Sequence, residues 1–332
     1  MIISRTPFRI SFFGGGTDYP AWYREHGGAV LATAIDKYCY ISARYLPPFF
    51  EHKYRVVYSR IETVNELSEI EHPAVRAVLQ WMNCVRGIEV HHDGDLPARS
   101  GLGSSSSFTV GLINVLMAMK GMHVSKDKLA QHALHVEQEL IKEHVGSQDQ
   151  VSAAYGGFNK IEFRQDGAID VNPVILPPEK REALESHLML FFTGLSRYSS
   201  DVAKTKIENL DKRKTELRMM RALVDEALSI LASDKEDLDD FGKLLHENWQ
   251  YKRKLSDKVT TPEIDALYDA ALSAGALGGK LLGAGGGGFL MLFARPEQQQ
   301  AIREKLHPLI HVPIKFDTSG SKIVMYQPNG LG

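Results

Sequence analysis

A run of small and hydroxyl-bearing residues, LPARSGLGSSSS at positions 96–107, directly precedes a segment with helical periodicity. Glycine and serine let backbone N–H groups turn toward an anion, and the first turn of a helix adds unpaired donors and a partial positive charge. Serine hydroxyls can also hydrogen-bond a phosphate or ligate a metal ion. The segment therefore predicts a phosphate-binding loop; a flexible loop with a serine helix cap is the alternative.

Neither of the familiar glycine-rich nucleotide signatures fits the chain. Gly101 and Gly103 are not followed by a third glycine three residues later, and residues 275–280 have the wrong spacing, with Leu281 where a P-loop carries Ser or Thr. Rossmann-type and Walker-type sites are thus disfavoured. A different class of phosphate loop is needed.

Three motifs together resemble those of the GHMP kinases, the superfamily of galactokinase, homoserine kinase, mevalonate kinase and phosphomevalonate kinase. Residues 97–105 match the family pattern Pro-x-x-x-Gly-Leu-Gly-Ser-Ser. Residues 6–19 (TPFRISFFGGGTDY) resemble the N-terminal motif of the sugar-kinase branch, and residues 280–288 (KLLGAGGGG) resemble the C-terminal motif that packs beside the phosphate loop. Because the motifs occur in the family's order along nearly the whole chain, the resemblance is more specific than any one of them.

The resemblance implies an α+β fold with two domains. Residues 1–180 would form an N-terminal domain like domain 2 of ribosomal protein S5, with the phosphate loop and the sugar site, and residues 181–332 a C-terminal ferredoxin-like α/β sandwich. It also implies ATP as phosphate donor and Mg²⁺ as metal. The residues implied to bind the nucleotide are Pro97, Ser100, Gly101, Leu102, Gly103, Ser104, Ser105, Ser106, Gly285 and Gly286.

The same resemblance supplies candidate catalytic and metal-binding residues. Asp149 matches the family's catalytic aspartate, which accepts or orients the proton of the acceptor hydroxyl, and Arg9 matches the basic residue beside it. Glu137 lies twelve residues before Asp149, where sugar-kinase relatives place a magnesium-binding glutamate, and Ser105 matches the family's serine ligand. Without the resemblance, Asp149 would be interpreted as a turn residue and Arg9 as one partner of a surface ion pair. Glu137 would be an exposed helix residue and Ser105 a helix cap.

The N-terminal motif also indicates the acceptor. Asp18 is implied to bind sugar hydroxyls, and Gly15, Gly16, Thr17 and Tyr19 are the neighbouring substrate-binding candidates. Galactokinase carries Glu and His where this chain has Gly15 and Gly16, which disfavours galactose. The triple-glycine form resembles D-glycero-D-manno-heptose 7-phosphate kinases and the kinase domain of L-fucokinases, both of which phosphorylate the anomeric hydroxyl.

We favour the heptose phosphate because a chain of 332 residues has no room for the second catalytic module of many fucokinases. L-fucose is the runner-up, and a non-catalytic sugar sensor with the same fold is the alternative from another class. A distal phosphate would need a cationic pocket, for which the sequence cannot rank the candidates Arg24, Lys37, Arg44, Lys53, Arg55 and Arg197. Residues 193–197 (TGLSR) resemble a family segment near the transferred phosphate.

The amino-acid composition disfavours several classes of partner and of protein. Lys plus Arg number 39 against 41 Asp plus Glu, a net charge of −2, so neither a nucleic acid nor an anionic membrane is expected as main partner. Two cysteines, Cys39 and Cys84, are too few for a disulfide scaffold or a thiolate metal site and are expected to be buried. With no apolar run near the ~18 residues that span a bilayer and no signal-peptide pattern, we expect a soluble, cytoplasmic protein.

The sequence also predicts some of the strands and helices that must position these residues. The first 60 residues have strand-like composition with glycine turns, and residues 106–119 show a helical period. A second helix should start after Ser125 and end before Gly146, and residues 188–192 should form the first strand of the second domain. Helices over 207–228, 238–249, 262–274 and 296–306, a strand over 289–293 and two short strands complete the prediction.

Overall fold

This computed structural model describes residues 1–47, 49–195, 199–233 and 237–328. The strands are β1 (Ile2–Phe13), β2 (Gly28–Tyr45), β3 (Tyr54–Val57), β4 (Ile61–Val64), β5 (Ile88–Gly94), β6 (Phe158–Phe163), β7 (Ile169–Pro173), β8 (Leu188–Phe192), β9 (Gly278–Leu281), β10 (Phe289–Phe293), β11 (Ile310–His311) and β12 (Lys322–Tyr326). The helices are α1 (Pro20–His26), α2 (Pro73–Trp81), α3 (Ser104–Met119), α4 (Lys126–Leu134), α5 (Gln148–Tyr155), α6 (Pro178–Ser186), α7 (Ser199–Glu208), α8 (Lys214–Ala232), α9 (Leu238–Lys254), α10 (Pro262–Ser273) and α11 (Gln299–Lys305).

The first sheet is 8-stranded, with the order β12-β1-β2-β5-β3-β4, and β6 and β7 continue from β2. The long strand β2 makes this possible, because its first half pairs with β6 and its second half with β5. β1 shifts register after Pro7, which has no N–H to give to the ladder. The irregular stretch is where Ser107 of α3 donates its hydroxyl to the Pro7 carbonyl.

The second sheet is 4-stranded, in the order β11-β8-β10-β9, and its strands are antiparallel. Strands β8 and β10 lie where the sequence predicts strands, at residues 188–192 and 289–293. The structure differs from the predicted division at the end of the chain, because β12 leaves this sheet and pairs with β1 of the first one. Residues 322–326, predicted as part of the second domain, therefore complete the N-terminal sheet.

Aromatic side chains pack between the two halves of the molecule, which are the first sheet with its helices and the second sheet with its helices. Phe241 of α9 packs edge-on against Phe12 and Phe13 at the end of β1, with ring centroids 5.6 and 5.2 Å apart. All three rings are fully buried. Burial of such rings is worth a few kcal/mol each, so α9 is fixed against the strand that leads into the first glycine turn. Cys39 and Cys84 are free and buried, as expected.

Helix boundaries follow local signals where these exist. The Ser125 hydroxyl accepts from the Lys128 N–H, and the Thr261 hydroxyl accepts from the Ile264 N–H, with a proline in the first turn. The predicted helix over 207–228 is instead two, because a short 3₁₀ segment at Leu210–Arg213 separates α7 from α8. No helix of the described residues is long and apolar enough to cross a membrane.

Candidate active site

The phosphate loop lies between the two sheets and is held from both. The Arg9 N–H of β1 donates to the Leu102 carbonyl (3.0 Å), and the Phe289 N–H of β10 donates to the Ser100 carbonyl (3.1 Å). Helix α3 starts directly after Gly103, and no described side chain caps it. Its first-turn N–H groups, which have no partner inside the helix, are therefore available to an anion.

The second glycine cluster packs against this loop, and Gly283 makes one of the contacts. A Cβ atom on Gly283 would lie 2.5 Å from the Cα of Gly101, so only glycine permits the approach. Gly285 and Gly286, the residues implied to bind the nucleotide, pack instead on Val259, whose carbonyl accepts from the Gly286 N–H at 3.0 Å. Gly283 is in the quoted motif, so the signal for this contact was present in the sequence.

Arg9 and Asp149 form a two-pronged ion pair beside the loop. Arg9 Nε and Nη2 donate to the two carboxylate oxygens at 2.7 and 2.8 Å, and Nη1 donates to the Gly101 carbonyl at 2.7 Å. The Arg9 side chain is 5% exposed and that of Asp149 is 27% exposed. The planar fork fixes the orientation of the carboxylate, while each of its oxygens keeps a second lone pair for another donor.

Asp18 lies behind this pair and is buried. Its Oδ1 accepts from the Gly16 N–H at 2.8 Å, and its Oδ2 accepts a longer 3.4 Å contact from the Gln148 N–H. A Cβ on Gly146 would be 1.9 Å from Oδ2, so the segment that carries Asp149 packs directly on Asp18. Burial raises the pKa of Asp18, and the charge of Asp149 adds to the rise, while the Gly16 N–H opposes it.

The other residues predicted to contact the sugar, Gly15, Gly16, Thr17 and Tyr19, lie around Asp18. Gly15 lies beside Gln148, because a Cβ on Gly15 would be 3.6 Å from the Gln148 amide nitrogen. Burial raises the pKa of the Tyr19 phenol, and the charges of Asp18 and Asp149 add to the rise. Gly16 contributes its N–H to Asp18. The Thr17 hydroxyl donates to the Gly14 and Ala29 carbonyls and closes the turn.

Glu137 is the predicted metal ligand. It lies on a π-helical segment, His135–Leu140, that continues α4, a distortion often found at functional sites. Its Oε2 accepts from the hydroxyl of Ser106 at 2.9 Å and from the amide of Gln150. Its buried Oε1 accepts no hydrogen bond of ordinary geometry from the described residues, because the nearby Thr109 hydroxyl donates to the Ser105 carbonyl at 3.3 Å. Burial raises the pKa of Glu137 to about 7, which the Thr109 and Ser106 hydroxyls partly oppose.

An unpartnered, buried carboxylate oxygen beside a phosphate loop fits a hard cation such as Mg²⁺. The hydroxyl that contacts Glu137 is that of Ser106; Ser105, the predicted serine ligand, is exposed on the first turn of α3. Two further side chains lie beside Gly15, and their polar atoms Ser11 Oγ and Gln148 Oε1 are also buried without a partner among the described residues. Ser11 lies in the N-terminal motif and Gln148 directly precedes Asp149, but the sequence assigned neither of them a role.

The candidates for a distal phosphate are not grouped at this site. Arg44 and Arg55 pair with Glu89 on the first sheet, at 2.6 and 3.2 Å, and Lys37 pairs with Asp36 at 2.8 Å. Arg24 and Lys53 are exposed. Ser196 and Arg197, at the end of the TGLSR segment, lie outside the described residues.

The rest of that segment contacts the glycine cluster. The Thr193 hydroxyl and N–H donate to the Gly288 carbonyl at 2.8 and 2.9 Å. A Cβ on Gly288 would lie 2.2 Å from the Ser100 carbonyl, so the segment reaches the phosphate loop through Gly288.

Comparison with known proteins agrees with this arrangement. The family description "GHMP kinases N terminal domain" matches residues 67–157, and "GHMP kinases C terminal" matches residues 222–308; together they cover more than half of the chain. The chain is 27% identical over 314 residues to D-glycero-alpha-D-manno-heptose 7-phosphate kinase of Campylobacter jejuni, an alignment that covers 90% of this chain and 91% of that one.

Two other similarities extend the comparison. The chain is 26% identical to the L-fucokinase/L-fucose-1-P guanylyltransferase of Bacteroides fragilis over 91% of its own length but only 35% of the bifunctional protein. A crystal structure described as a D-glycero-D-manno-heptose 1-phosphate kinase from Bacteroides thetaiotaomicron superposes with a TM-score of 0.78 at 23% identity, covering 98% of this chain and 99% of that one. At this identity the superposition shows a shared fold.

Proposed function

The chain belongs to the GHMP kinases, and from that premise we propose that it transfers the γ-phosphoryl group of ATP to the anomeric (C1) hydroxyl of a sugar phosphate. The acceptor we favour is D-glycero-D-manno-heptose 7-phosphate, which would give the 1,7-bisphosphate for nucleotide-activated heptose and cell-surface glycans. The observation that carries the proposal is the Arg9–Asp149 pair, placed against Gly101 of the phosphate loop with Asp18 behind it. The similarity to the Campylobacter jejuni kinase over 90% of the chain supports the choice of acceptor.

In the proposed reaction, Asp149 orients the acceptor hydroxyl and takes its proton. The bond from the acceptor oxygen to the γ-phosphorus forms as the bond from that phosphorus to the β–γ bridging oxygen breaks, and ADP leaves with the electron pair. Arg9 holds the carboxylate in place with Nε and Nη2 and stabilises the negative charge that develops on the acceptor oxygen. Asp18 and the Gly15 turn would bind sugar hydroxyls and fix the reacting oxygen.

The donor side depends on the backbone of the phosphate loop. The first-turn N–H groups of α3 and the loop residues around Gly101 and Gly103 would bind the phosphates. Glu137, through its unpartnered Oε1, would hold Mg²⁺, and Ser105 or Ser106 is placed to add a hydroxyl ligand. When bound, the metal would neutralise part of the negative charge of the phosphates.

A coupled assay of ADP release over a panel of acceptors tests the proposal. With D-glycero-D-manno-heptose 7-phosphate we expect ATP-dependent and acceptor-dependent release of ADP, and ³¹P NMR of the product should show a new anomeric phosphate. Release with L-fucose and not with the heptose phosphate would instead make the chain a fucokinase. No release with any acceptor, together with measurable sugar binding, would identify a sensor.

A further inference from the structure

The first glycine turn contains one glycine that the fold itself does not require. A Cβ on Gly14 would lie 1.9 Å from the Ala29 carbonyl oxygen, and Gly14 and Gly16 have φ values of +79° and +110°, which favour glycine. Gly15 has a negative φ, and a Cβ on it would meet no described atom closer than 3.5 Å outside the adjoining residues. A side chain would fit there, so its absence leaves room, which we call the Gly15 space.

Two polar side chains without a hydrogen-bond partner border the Gly15 space. A Cβ on Gly15 would lie 3.5 Å from Ser11 Oγ and 3.6 Å from Gln148 Nε2. Ser11 is 6% exposed, and neither its Oγ nor the buried Oε1 of Gln148 has a partner among the described residues. Because a buried polar atom left unpaired costs free energy, we expect a hydrogen-bonding group to occupy this space in the working protein.

The Gly15 space lies beside the predicted sugar ligand Asp18. The backbone on both sides of it donates to the Asp18 carboxylate, from the Gly16 N–H at 2.8 Å and from the Gln148 N–H at 3.4 Å. Gly15 is also the one member of residues 11–19 that is not buried. A ligand that enters the site can therefore reach this point of the turn.

The same two elements hold the Arg9–Asp149 pair. Arg9 and Ser11 are two residues apart on β1 and so point to the same face of the strand, while Gln148 and Asp149 are neighbours in the first turn of α5. Two residues advance a strand by about 7 Å, which is the width of a sugar ring with its hydroxyls. A sugar whose reacting hydroxyl lies at Asp149 can thus place another hydroxyl in the Gly15 space.

The chemistry of the two side chains indicates a neutral O–H group as the occupant. A serine hydroxyl donates or accepts, whereas a carboxamide oxygen only accepts. A bound hydroxyl satisfies both, because it accepts from Ser11 and donates to Gln148. A phosphate dianion has no proton to donate and would leave the carboxamide oxygen unpaired. The O–H group has two sources, the acceptor sugar and an ordered water.

We infer that Ser11 and Gln148 determine acceptor specificity by binding, in the Gly15 space, one hydroxyl of the acceptor sugar other than the one that reacts. The inference rests on the proposed function and adds two residues to the sugar site. A site that hydrogen-bonds a substrate hydroxyl discriminates strongly against an analogue without it, because its own polar groups are then left unpaired. The Gly15 space would therefore select acceptors by the position of that hydroxyl.

Gly15→Ala in the full chain gives the first test, because the methyl group fits the folded protein and takes the place of the bound hydroxyl. We expect a Tm no lower than that of the wild type, since alanine also restricts the unfolded chain. The KM for D-glycero-D-manno-heptose 7-phosphate should rise about tenfold or more, as expected when a bound hydroxyl is displaced. The KM for ATP should stay close to the wild-type value.

Gly94→Ala is the matched control. Gly94, at the end of β5, also has a negative φ, and a Cβ on it would lie 3.4 Å from its nearest neighbour among the described residues, the Leu96 carbonyl oxygen. This variant should keep the wild-type KM for both substrates. An unchanged acceptor KM in Gly15→Ala overturns the inference, and so does an equal rise in the KM for ATP.

Ser11→Ala and Gln148→Met test the two side chains with modified acceptors. The acceptors are heptose 7-phosphate and its monodeoxy forms at C2, C3, C4 and C6. Each variant should lower kcat/KM for the intact acceptor about fivefold or more, as for a lost hydrogen bond, whereas one deoxy form should react equally well with variant and wild type. Equal losses with every acceptor would indicate an ordered water or a structural role and would overturn the inference.

Calorimetric titration of the acceptor separates this inference from the proposed function. Heptose 7-phosphate binding that weakens in Gly15→Ala and Ser11→Ala, without ADP release from the wild type, would contradict the proposed function alone. ADP release from the wild type with unaltered binding in all three variants would contradict the inference alone. If the wild type reacts only with L-fucose, the same comparison is made with L-fucose and its monodeoxy forms. A wild type that binds neither sugar would overturn both.

Discussion

The donor side and the acceptor side of the site are built in different ways. On the donor side, a contiguous loop and the first turn of α3 offer backbone N–H groups, and Glu137 is the carboxylate beside them. On the proposed acceptor side, the charged groups Arg9, Asp18 and Asp149 come from β1, the turn that follows it and α5. Backbone donors can bind phosphates of any nucleotide, whereas an arrangement of separated charges can recognise one acceptor.

The comparison predicts the largest loss where the two sides meet, at Asp149. Asp149→Asn should lower turnover by roughly two or more orders of magnitude, the size expected for lost base and electrostatic assistance, while ATP binding stays nearly intact. Steady-state kinetics and calorimetric titration of ATP give both quantities. Asp166→Asn, at an exposed turn, is the control, and undiminished turnover in Asp149→Asn would contradict the catalytic role.

The next largest effect is expected on the donor side. Glu137→Gln should lower kcat/KM about tenfold or more and raise the Mg²⁺ concentration needed for activity, because an amide is a weaker ligand than a carboxylate. Glu139→Gln, exposed on the same π-helical segment, is the control. An unaltered Mg²⁺ requirement in Glu137→Gln would remove Glu137 from the metal site.

The same variant should be more stable than the wild type without Mg²⁺. Burial raises the pKa of Glu137 from 4.5 to about 7, so between these pH values the folded protein binds a proton that the unfolded chain has released. The free energy of unfolding of the wild type therefore falls across this window as pH rises, and the difference persists above it. Tm values in EDTA from pH 5 to 8 should show Glu137→Gln gaining on the wild type as pH increases.

A smaller effect is expected where the donor loop meets the second glycine cluster. Gly283→Ala should destabilise the fold by about 2 kcal/mol or more, because the residue has a φ of +68° and its new Cβ would meet Gly101. Gly121→Ala is the matched control: its φ is +69°, and nothing lies within 4 Å of the added atom. Chemical denaturation compares the two, and equal losses would show that the Gly101 contact contributes nothing.

The smallest effect is expected at the solvent-exposed border between the two halves. Lys160 of β6 pairs with Asp225 of α8 at 3.0 Å, but the Asp225 side chain is 56% exposed. Asp225→Asn should cost at most about 1 kcal/mol, less in high salt, and should leave the kinetics unchanged. A loss of activity comparable to that of Asp149→Asn would contradict this distinction between buried and surface charges.

Much of the donor side could be predicted from sequence. The loop over 96–107, the helix behind it, the cap at Ser125, the Thr261-Pro262 helix start and the strands β8 and β10 depend on composition and spacing over a few residues. The sequence did not show α1, whose residues sit in a strand-like stretch, nor the 3₁₀ segment between α7 and α8. The π-helical segment that carries Glu137 also has no local signature.

The groups on the proposed acceptor side are brought together by tertiary contacts, which the spacing of residues along the sequence does not reveal. The sequence predicted Thr17 as a sugar contact and did not show that its hydroxyl closes a turn, nor that Lys206, Lys252 and Lys280 are buried. The strand β12 could not be assigned to the first sheet, because its partner β1 lies at the other end of the chain. Whether a lysine is an ordinary surface cation or a buried charge depends on what packs over it.

The sequence by itself determined the family, the order of its motifs and the phosphate loop, because a backbone anion site needs only glycine, small hydroxyl residues and a helix start close together. The tertiary structure alone decided which oxygen of Glu137 is left unpaired, that Arg9 engages both oxygens of Asp149, and that Lys206 is buried. These properties depend on desolvation and on the distances between charges, and both arise only when distant segments pack together.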